Sequence, residues 1–161
     1  MRRVLLAVPI LFLLLIPVQS YADAAVVQDS CVQVDQKTLR IYFTVVNFSL
    51  PDVLCDLHFI PEPQPPEPGC EWVNVGAPAG WSGVLDPLGG GDFFANTIDD
   101  CIPQGDAKGG FWFEVDPAFC CYIVQFTGPA GEVLLEQEEC FHCTVVPAED
   151  MTWGTIKSLY R

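Results

Sequence analysis

The chain has 161 residues, 50% of them apolar, with Lys+Arg 7 against Asp+Glu 21 and a formal net charge of −14. That length suits one domain, and the apolar fraction excludes a disordered chain. So acidic a balance excludes nucleic acid as a partner, because phosphate contacts need Lys and Arg; 8 Cys, 13 Gly and 14 Pro argue for a loop-rich, cross-linked β fold rather than a helical bundle.

In chain order, the first segment reads as a leader. Met1-Arg2-Arg3 is basic, Val4 to Val18 is almost purely apolar, and Ser20-Tyr21-Ala22 supplies small residues at the −3 and −1 positions of a cleavage site. This is the three-part pattern of a secretory signal peptide over residues 1–22. The apolar run is short for a membrane span, which needs about 20 residues, so an uncleaved anchor is the weaker alternative. No stable span is expected once the leader is removed. The expected localisation is secreted or cell-surface, with the periplasm as a further oxidising option. No Cys follows the apolar run closely, which argues against a lipoprotein anchor.

The following residues read as strands. Thr38 to Phe48 is β-branched and aromatic, with Ile41, Phe43 and Val45 on one face and Tyr42, Thr44 and Val46 on the other. Val53 to Ile60 is a second run. Pro61 to Gly69 holds five prolines in nine residues and predicts a stiff exposed loop. Glu71 to Val75, Ser82 to Leu85 and Phe93 to Ile98 predict short strands between glycine turns, and Asp99 to Gly109 a polar loop. Phe111 to Val115 and Phe119 to Thr127 are strongly β. Gly128-Pro129-Ala130-Gly131 is a turn, and Val133 to Val146 returns from it. Seven to eight strands at regular spacing predict an all-β sandwich over residues 23–147, with a helical tail over 148–161.

All eight cysteines (Cys31, Cys55, Cys70, Cys101, Cys120, Cys121, Cys140, Cys143) follow the leader. An even count in an oxidising compartment predicts up to four disulfides. Cys140-Phe141-His142-Cys143 has the look of a redox C-x-x-C, but its context is strand, and residues three apart on a strand are too far apart to bond. A hairpin closed at 128–131 sets Cys120 opposite Cys140, the simplest cross-strand bond, although a one-residue register slip would break it. Cys55 and Cys70 bracket the proline-rich loop and are a candidate pair that pins it. Cys31, Cys101, Cys121 and Cys143 are left unassigned. A zinc site on Cys120, Cys121, Cys140 and Cys143 beside His142 is the alternative, disfavoured because adjacent strand cysteines diverge.

Other chemistry is thin. Asp86, Asp92, Asp99, Asp100 and Asp106 lack EF-hand spacing and read as a solvated acidic surface rather than a calcium site. No pair of carboxylates stands out for glycoside hydrolysis. His58 and His142 are the two histidines, and neither a nucleophile elbow nor a phosphate-binding loop is present. The sequon Asn47-Phe48-Ser49 sits at a strand end. Trp72, Trp81 and Trp112 are candidates for a sugar-stacking platform or for core packing. If Phe111 and Phe113 are core, Trp112 faces outward.

Two stretches carry resemblances. Ile102-Pro103-Gln104-Gly105 with Gly109-Gly110-Phe111-Trp112-Phe113, together with Gly80-Trp81-Ser82-Gly83 upstream, resembles turn-and-strand signatures of immunoglobulin-like or fibronectin-like modules of secreted bacterial proteins. The resemblance covers roughly residues 31–128 and implies an immunoglobulin-like sandwich. Such modules often precede a Pro-Glu-Pro sorting tail, whereas here Pro61-Glu62-Pro63 and Pro66-Glu67-Pro68 stand mid-chain. The segment Thr152 to Arg161 (TWGTIKSLYR) resembles the C-terminal tail of exported proteins in some Gram-negative lineages. Glu149 and Asp150 at its start and Lys157 and Arg161 at its end suit a helix dipole, and Trp153, Ile156 and Tyr160 share one helical face.

The expectation is therefore a disulfide-linked immunoglobulin-like β-sandwich with a short C-terminal helix, secreted, acting as a structural or adhesive module and not as an enzyme. Its tail would dock through Trp153, Ile156 and Tyr160, on its own domain or on a surface or secretion partner. The alternatives are a carbohydrate-binding module using Trp81 and Trp112, and a thiol-redox or zinc protein using Cys140 and Cys143. No cofactor is expected.

Overall fold

The computed structural model describes residues 23–62, 68–116 and 119–143. The leader 1–22 and the expected helix at 148–161, with Trp153, Ile156 and Tyr160, lie outside the described residues. Among the described residues nine strands form: β1 (Ala24–Gln33), β2 (Leu39–Asn47), β3 (Asp56–Glu62), β4 (Asn74–Gly76), β5 (Trp81–Leu85), β6 (Gly91–Ala95), β7 (Ala107–Val115), β8 (Cys120–Thr127) and β9 (Val133–Phe141), with one 3₁₀ turn at Ile98–Asp100. They build two antiparallel sheets, ordered β1-β2-β7-β4 and β5-β6-β3-β8-β9. The first is sheet 1 and the second sheet 2.

Strand β1 is the element that the sequence reading omits. Only Ala24 and Val26 alternate inward; beyond them Gln28, Asp29 and Ser30 break the apolar pattern. A bulge falls between Gln28 and Ser30, and the Asp29 carboxylate accepts the Thr44 hydroxyl at 2.8 Å. Strand β2 follows its period closely: Leu39, Ile41, Phe43, Val45 and Asn47 are buried, and the residues between them are half-buried. Strand β7 starts at Ala107, inside the stretch expected to be loop. A bulge at Gly110, whose φ of 93° is costly for any residue with a Cβ, resets its register so that Phe111 and Phe113 enter the core.

The core is an aromatic stack between the sheets. Phe43, Phe59, Phe93, Phe111, Phe113, Tyr122 and Phe126 are fully buried. Trp72 lies flat on Phe113, with ring centroids 4.3 Å apart and planes 3° apart, and Phe141 meets Phe113 edge-on at 5.1 Å. Such pairs each add about 0.5–1.5 kcal/mol beyond the area they bury. The Tyr122 hydroxyl donates to the Cys70 carbonyl at 2.8 Å, and burial pushes this phenol well above its ordinary range.

Asn47 is wholly buried at the end of β2. Its amide donates to the carbonyls of Asp52 and Ile102, and its oxygen accepts the Leu50 N–H. The sequon is thus a structural corner, with its amide nitrogen committed inside the fold. Where the edge strands of the two sheets meet, side chains close the gap. Gln28 on β1 donates to the His142 carbonyl at 3.0 Å and accepts the His142 N–H at 3.2 Å. Glu139 on β9 accepts the Val26 N–H, and its burial raises the carboxyl above its ordinary value. Groups that would otherwise offer an open pairing edge are occupied in this way.

Candidate functional site

Every cysteine is in a disulfide, but the pairs differ from two that the spacing suggested. The bonds are Cys31–Cys143, Cys55–Cys101, Cys70–Cys120 and Cys121–Cys140. The expected Cys120–Cys140 bond fails by one residue. Near the turn Thr127 lies opposite Val133, but a bulge then shifts the register so that Phe126 meets Leu135, Cys121 meets Cys140 and Cys120 meets Phe141. Core demand explains the slip, since it buries Phe141 and turns Cys140 outward. The expected Cys55–Cys70 pair fails because β3 leads Cys55 and Cys70 apart. Cys55 instead follows the Leu54–Ile102 bridge to Cys101, and Cys70 joins the start of β8.

These pairings also bear on the redox and zinc alternatives. Cys140 and Cys143 bond to different partners, so the C-x-x-C is not a dithiol unit. The four candidate zinc sulfurs are spread over three disulfides. Cys121, Cys140 and Glu138 cluster on the outer face of sheet 2, but both sulfurs there are oxidised to each other and cannot act as thiolate ligands.

The tryptophans separate. Trp81 is buried, edge-on to Phe111 at 5.2 Å, and its indole N–H donates to the Asp100 carbonyl at 2.8 Å. It is a core residue, which corrects its reading as an exposed sugar platform. Trp72 is core as well. Trp112 does lie on the outer face of sheet 1, between Tyr42 on β2 and Gly76 on β4. It is already engaged: its indole crosses Gly76 so closely that a methyl group there would collide with Cε2, Cζ2 and Nε1. The Arg40 guanidinium stacks on the ring, 4.1 Å from its centroid. Arg40 in turn donates to the buried Glu114 at 2.6 and 2.9 Å and to the Tyr42 hydroxyl at 3.3 Å.

A second constellation lies on the outer face of sheet 2. Asp56 and His58 alternate on β3, and the register brings Asp92 of β6 opposite His58. The imidazole Nδ1 lies 2.7 Å from Asp92 and Nε2 lies 3.1 Å from Asp56, so a doubly protonated ring donates to both carboxylates. Burial pushes the Asp56 carboxyl above its ordinary value against the opposing pull of His58. Beside the triad opens a cleft of about 220 Å³, lined by His58, Ile60, Pro61, Asp86, Leu88 and Asp92. Its far wall is the β5–β6 turn. There the Asp86 carboxylate accepts the Leu88 N–H at 2.7 Å, and the turn holds Leu88 64% exposed over the opening. The other carboxylates singled out, Asp99, Asp100 and Asp106, line a separate recess with Lys108.

The sequence reading missed Arg40, Tyr42, Glu114, Asp56 and His58. The one legible signal was the i, i+2 spacing of Asp56 and His58 on a predicted strand; the other partnerships depend on register between strands. A scan against protein-family models, a search of curated proteins and a search of solved structures each return no match.

Proposed function

We propose that this chain is a non-catalytic, secreted or cell-surface β-sandwich module of immunoglobulin-like plan with a structural or adhesive role. The observation that carries this reading is the use of all eight cysteines as cross-links between strands and their flanking loops, one of them joining the edge strands of the two sheets. Cross-links of this kind suit a domain that works in an oxidising compartment without chaperones. The runs β1-β2-β7 and β3-β8-β9 match the A-B-E and C-F-G runs of immunoglobulin sheets, while β4, β5 and β6 depart from that plan. The two polar constellations support a passive role, since in them Arg40 pairs with Glu114, and Asp56 and Asp92 with His58.

The test is export of the full chain in a Gram-negative host, followed by thiol counting and by adhesion of protein-coated beads to cell surfaces. The reading expects a processed, exported chain with no free thiol and bead adhesion above that of a coated control protein. A chain that stays in the cytoplasm and folds there with reduced cysteines would overturn the secreted reading. Beads that adhere no better than the control would overturn the adhesive one.

A second reading, glycan binding, is narrowed to the Trp112 and Tyr42 face. It requires Arg40 to leave the indole, so a glycan array should respond to Trp112→Ala and Arg40→Ala in opposite directions. Absence of binding to any glycan removes it.

A further inference from the structure

We propose that the exposed Cys121–Cys140 disulfide is a redox gate over a zinc-type cation site: reduction frees two thiolates that, with the Glu138 carboxylate, take up a borderline-soft divalent cation. The first argument is placement. Cys140 on β9 lies directly opposite Cys121 on β8, with Cα atoms 4.0 Å apart. Glu138 is two residues from Cys140 and so shares its face of the strand, and its Oε1 stands 3.7 Å from the Cys140 Sγ. The two sulfurs and that carboxylate oxygen all lie within 4.8 Å of one another. Two thiolates and a carboxylate are a donor set for Zn²⁺, which binds sulfur at about 2.3 Å. Two sulfurs on one tetrahedral ion then stand about 3.8 Å apart, which opposed cysteines reach by side-chain rotation. Three protein ligands leave one position for water.

The second argument is access. Cys140 is exposed and Cys121 half-buried, whereas Cys55–Cys101 and Cys70–Cys120 are buried and Cys31–Cys143 is half-buried. Cys121–Cys140 also closes the shortest loop, 19 residues against 46, 50 and 112. Strands β8 and β9 stay joined without it, by a ladder that runs from Thr127–Val133 to Cys120–Phe141, so the bond can open while the hairpin stands. The third argument is the local field. The strands of sheet 2 carry Asp56, Glu62, Asp92, Glu136, Glu138 and Glu139 and not one Lys or Arg. No ammonium or guanidinium on those strands competes for Glu138, and the surplus negative charge draws a cation.

The gate opens by thiol–disulfide exchange with a dithiol reductant. One reductant thiolate attacks the exposed Cys140 Sγ; the Cys121–Cys140 bond breaks, and its electron pair leaves on the Cys121 sulfur, which is protonated by solvent. The second reductant thiolate then attacks its partner sulfur in the mixed disulfide and releases Cys140. Two electrons have passed, the dithiol has become a disulfide, and the chain holds two thiols. Cation binding displaces their protons to solvent, so uptake strengthens as pH rises. In the oxidised chain the pair offers no thiolate and the site is closed. This dithiol differs from the C-x-x-C spacing, whose two sulfurs belong to separate bonds. The inference rests on the pairing of the cysteines and not on the adhesive reading; either can fail without the other.

The experiment treats the intact, folded chain with limiting dithiothreitol, removes the reductant by anaerobic desalting and titrates with Co²⁺ as an optical probe. Alkylation and mass mapping should find Cys121 and Cys140 modified while the other three bonds stay closed, with the circular dichroism unchanged. The reduced chain should then show a thiolate-to-cobalt charge-transfer band that Zn²⁺ abolishes, and the unreduced chain none. Glu138→Gln, at an exposed position, should weaken Co²⁺ binding at least about tenfold, since even partners behind the ligands are worth about that much. Glu136→Gln is an equal charge change about 13 Å along the strand from Cys140, beyond the screening length of about 10 Å at 0.1 M salt, and should leave the affinity within about twofold. The proposal is overturned if another bond opens first, if reduction unfolds the domain, or if the reduced chain gives no charge-transfer band. It is overturned as well if the unreduced chain gives the same band, if Glu138→Gln binds as tightly as the unmodified chain, or if Glu136→Gln costs as much as Glu138→Gln.

Discussion

Disulfide removal tests the architecture most directly, because the cross-links differ in both loop length and burial. Cys121–Cys140 spans 19 residues across the β8–β9 hairpin, and Cys140 is exposed. Cys70–Cys120 spans 50 residues, and its cysteines are only 4% and 1% exposed. By the entropy lost from the unfolded chain, the first bond contributes about 3 kcal/mol and the second about 4 kcal/mol. Truncating two buried cysteines to alanine also removes packed sulfur from the core, at roughly 1 kcal/mol each. The double variant Cys70→Ala/Cys120→Ala should therefore lose about 5–6 kcal/mol, and Cys121→Ala/Cys140→Ala about 3 kcal/mol. Guanidinium unfolding of each variant, with the other three bonds verified by mass mapping, reads the difference. A domain of ordinary stability, about 5–15 kcal/mol, would survive the second change and be marginal after the first. Equal losses, or a larger loss from the surface pair, would refute the claim that burial and loop length set the rank.

Three further outcomes follow from single positions. Gly76→Ala should push the Trp112 indole off β4, giving a red-shifted, quencher-accessible tryptophan emission and a stability loss of about 1–3 kcal/mol; an unchanged spectrum would mean that the indole does not rest on Gly76. Asn47→Ala should destabilise by roughly 2–4 kcal/mol, because the wholly buried amide loses its bonds to the Asp52 and Ile102 carbonyls and leaves the Leu50 N–H without its acceptor. The same burial predicts no glycan at Asn47 in a glycosylating host. Glu139 has a carboxyl raised by burial, so the folded state holds its proton more tightly than the unfolded one. Stability then falls as pH rises from the ordinary carboxylate range through the raised value. Glu139→Gln, which can still accept the Val26 N–H, should raise Tm at neutral pH, with the gain vanishing as pH falls into that range. A gain independent of pH would contradict the assignment.

How far the sequence reaches can be followed residue by residue. The alternation in Leu39–Asn47 announced its buried face, and the apolar runs at 53–60, 111–115 and 119–127 announced strands, because burial on one face of a pleat leaves a period of two. β1 was illegible because its outer half is polar and held by pairing with β2 and by Gln28 and Glu139, none of which leaves a local signature. The His58 cleft and the Arg40–Trp112 stack were hidden for a related reason. Asp92 reaches His58, and Glu114 reaches Arg40, only once strands far apart in sequence are set in register.

Composition and cysteine count thus determined an acidic β fold with its cysteines in disulfides, since each of these is a sum over residues or a local pattern. Which cysteines pair was decided by the tertiary structure alone. The β-bulge that turns Phe141 into the core also turns Cys140 out to meet Cys121, and no spacing rule contains that choice, because it is the packing of the aromatic core that selects the register.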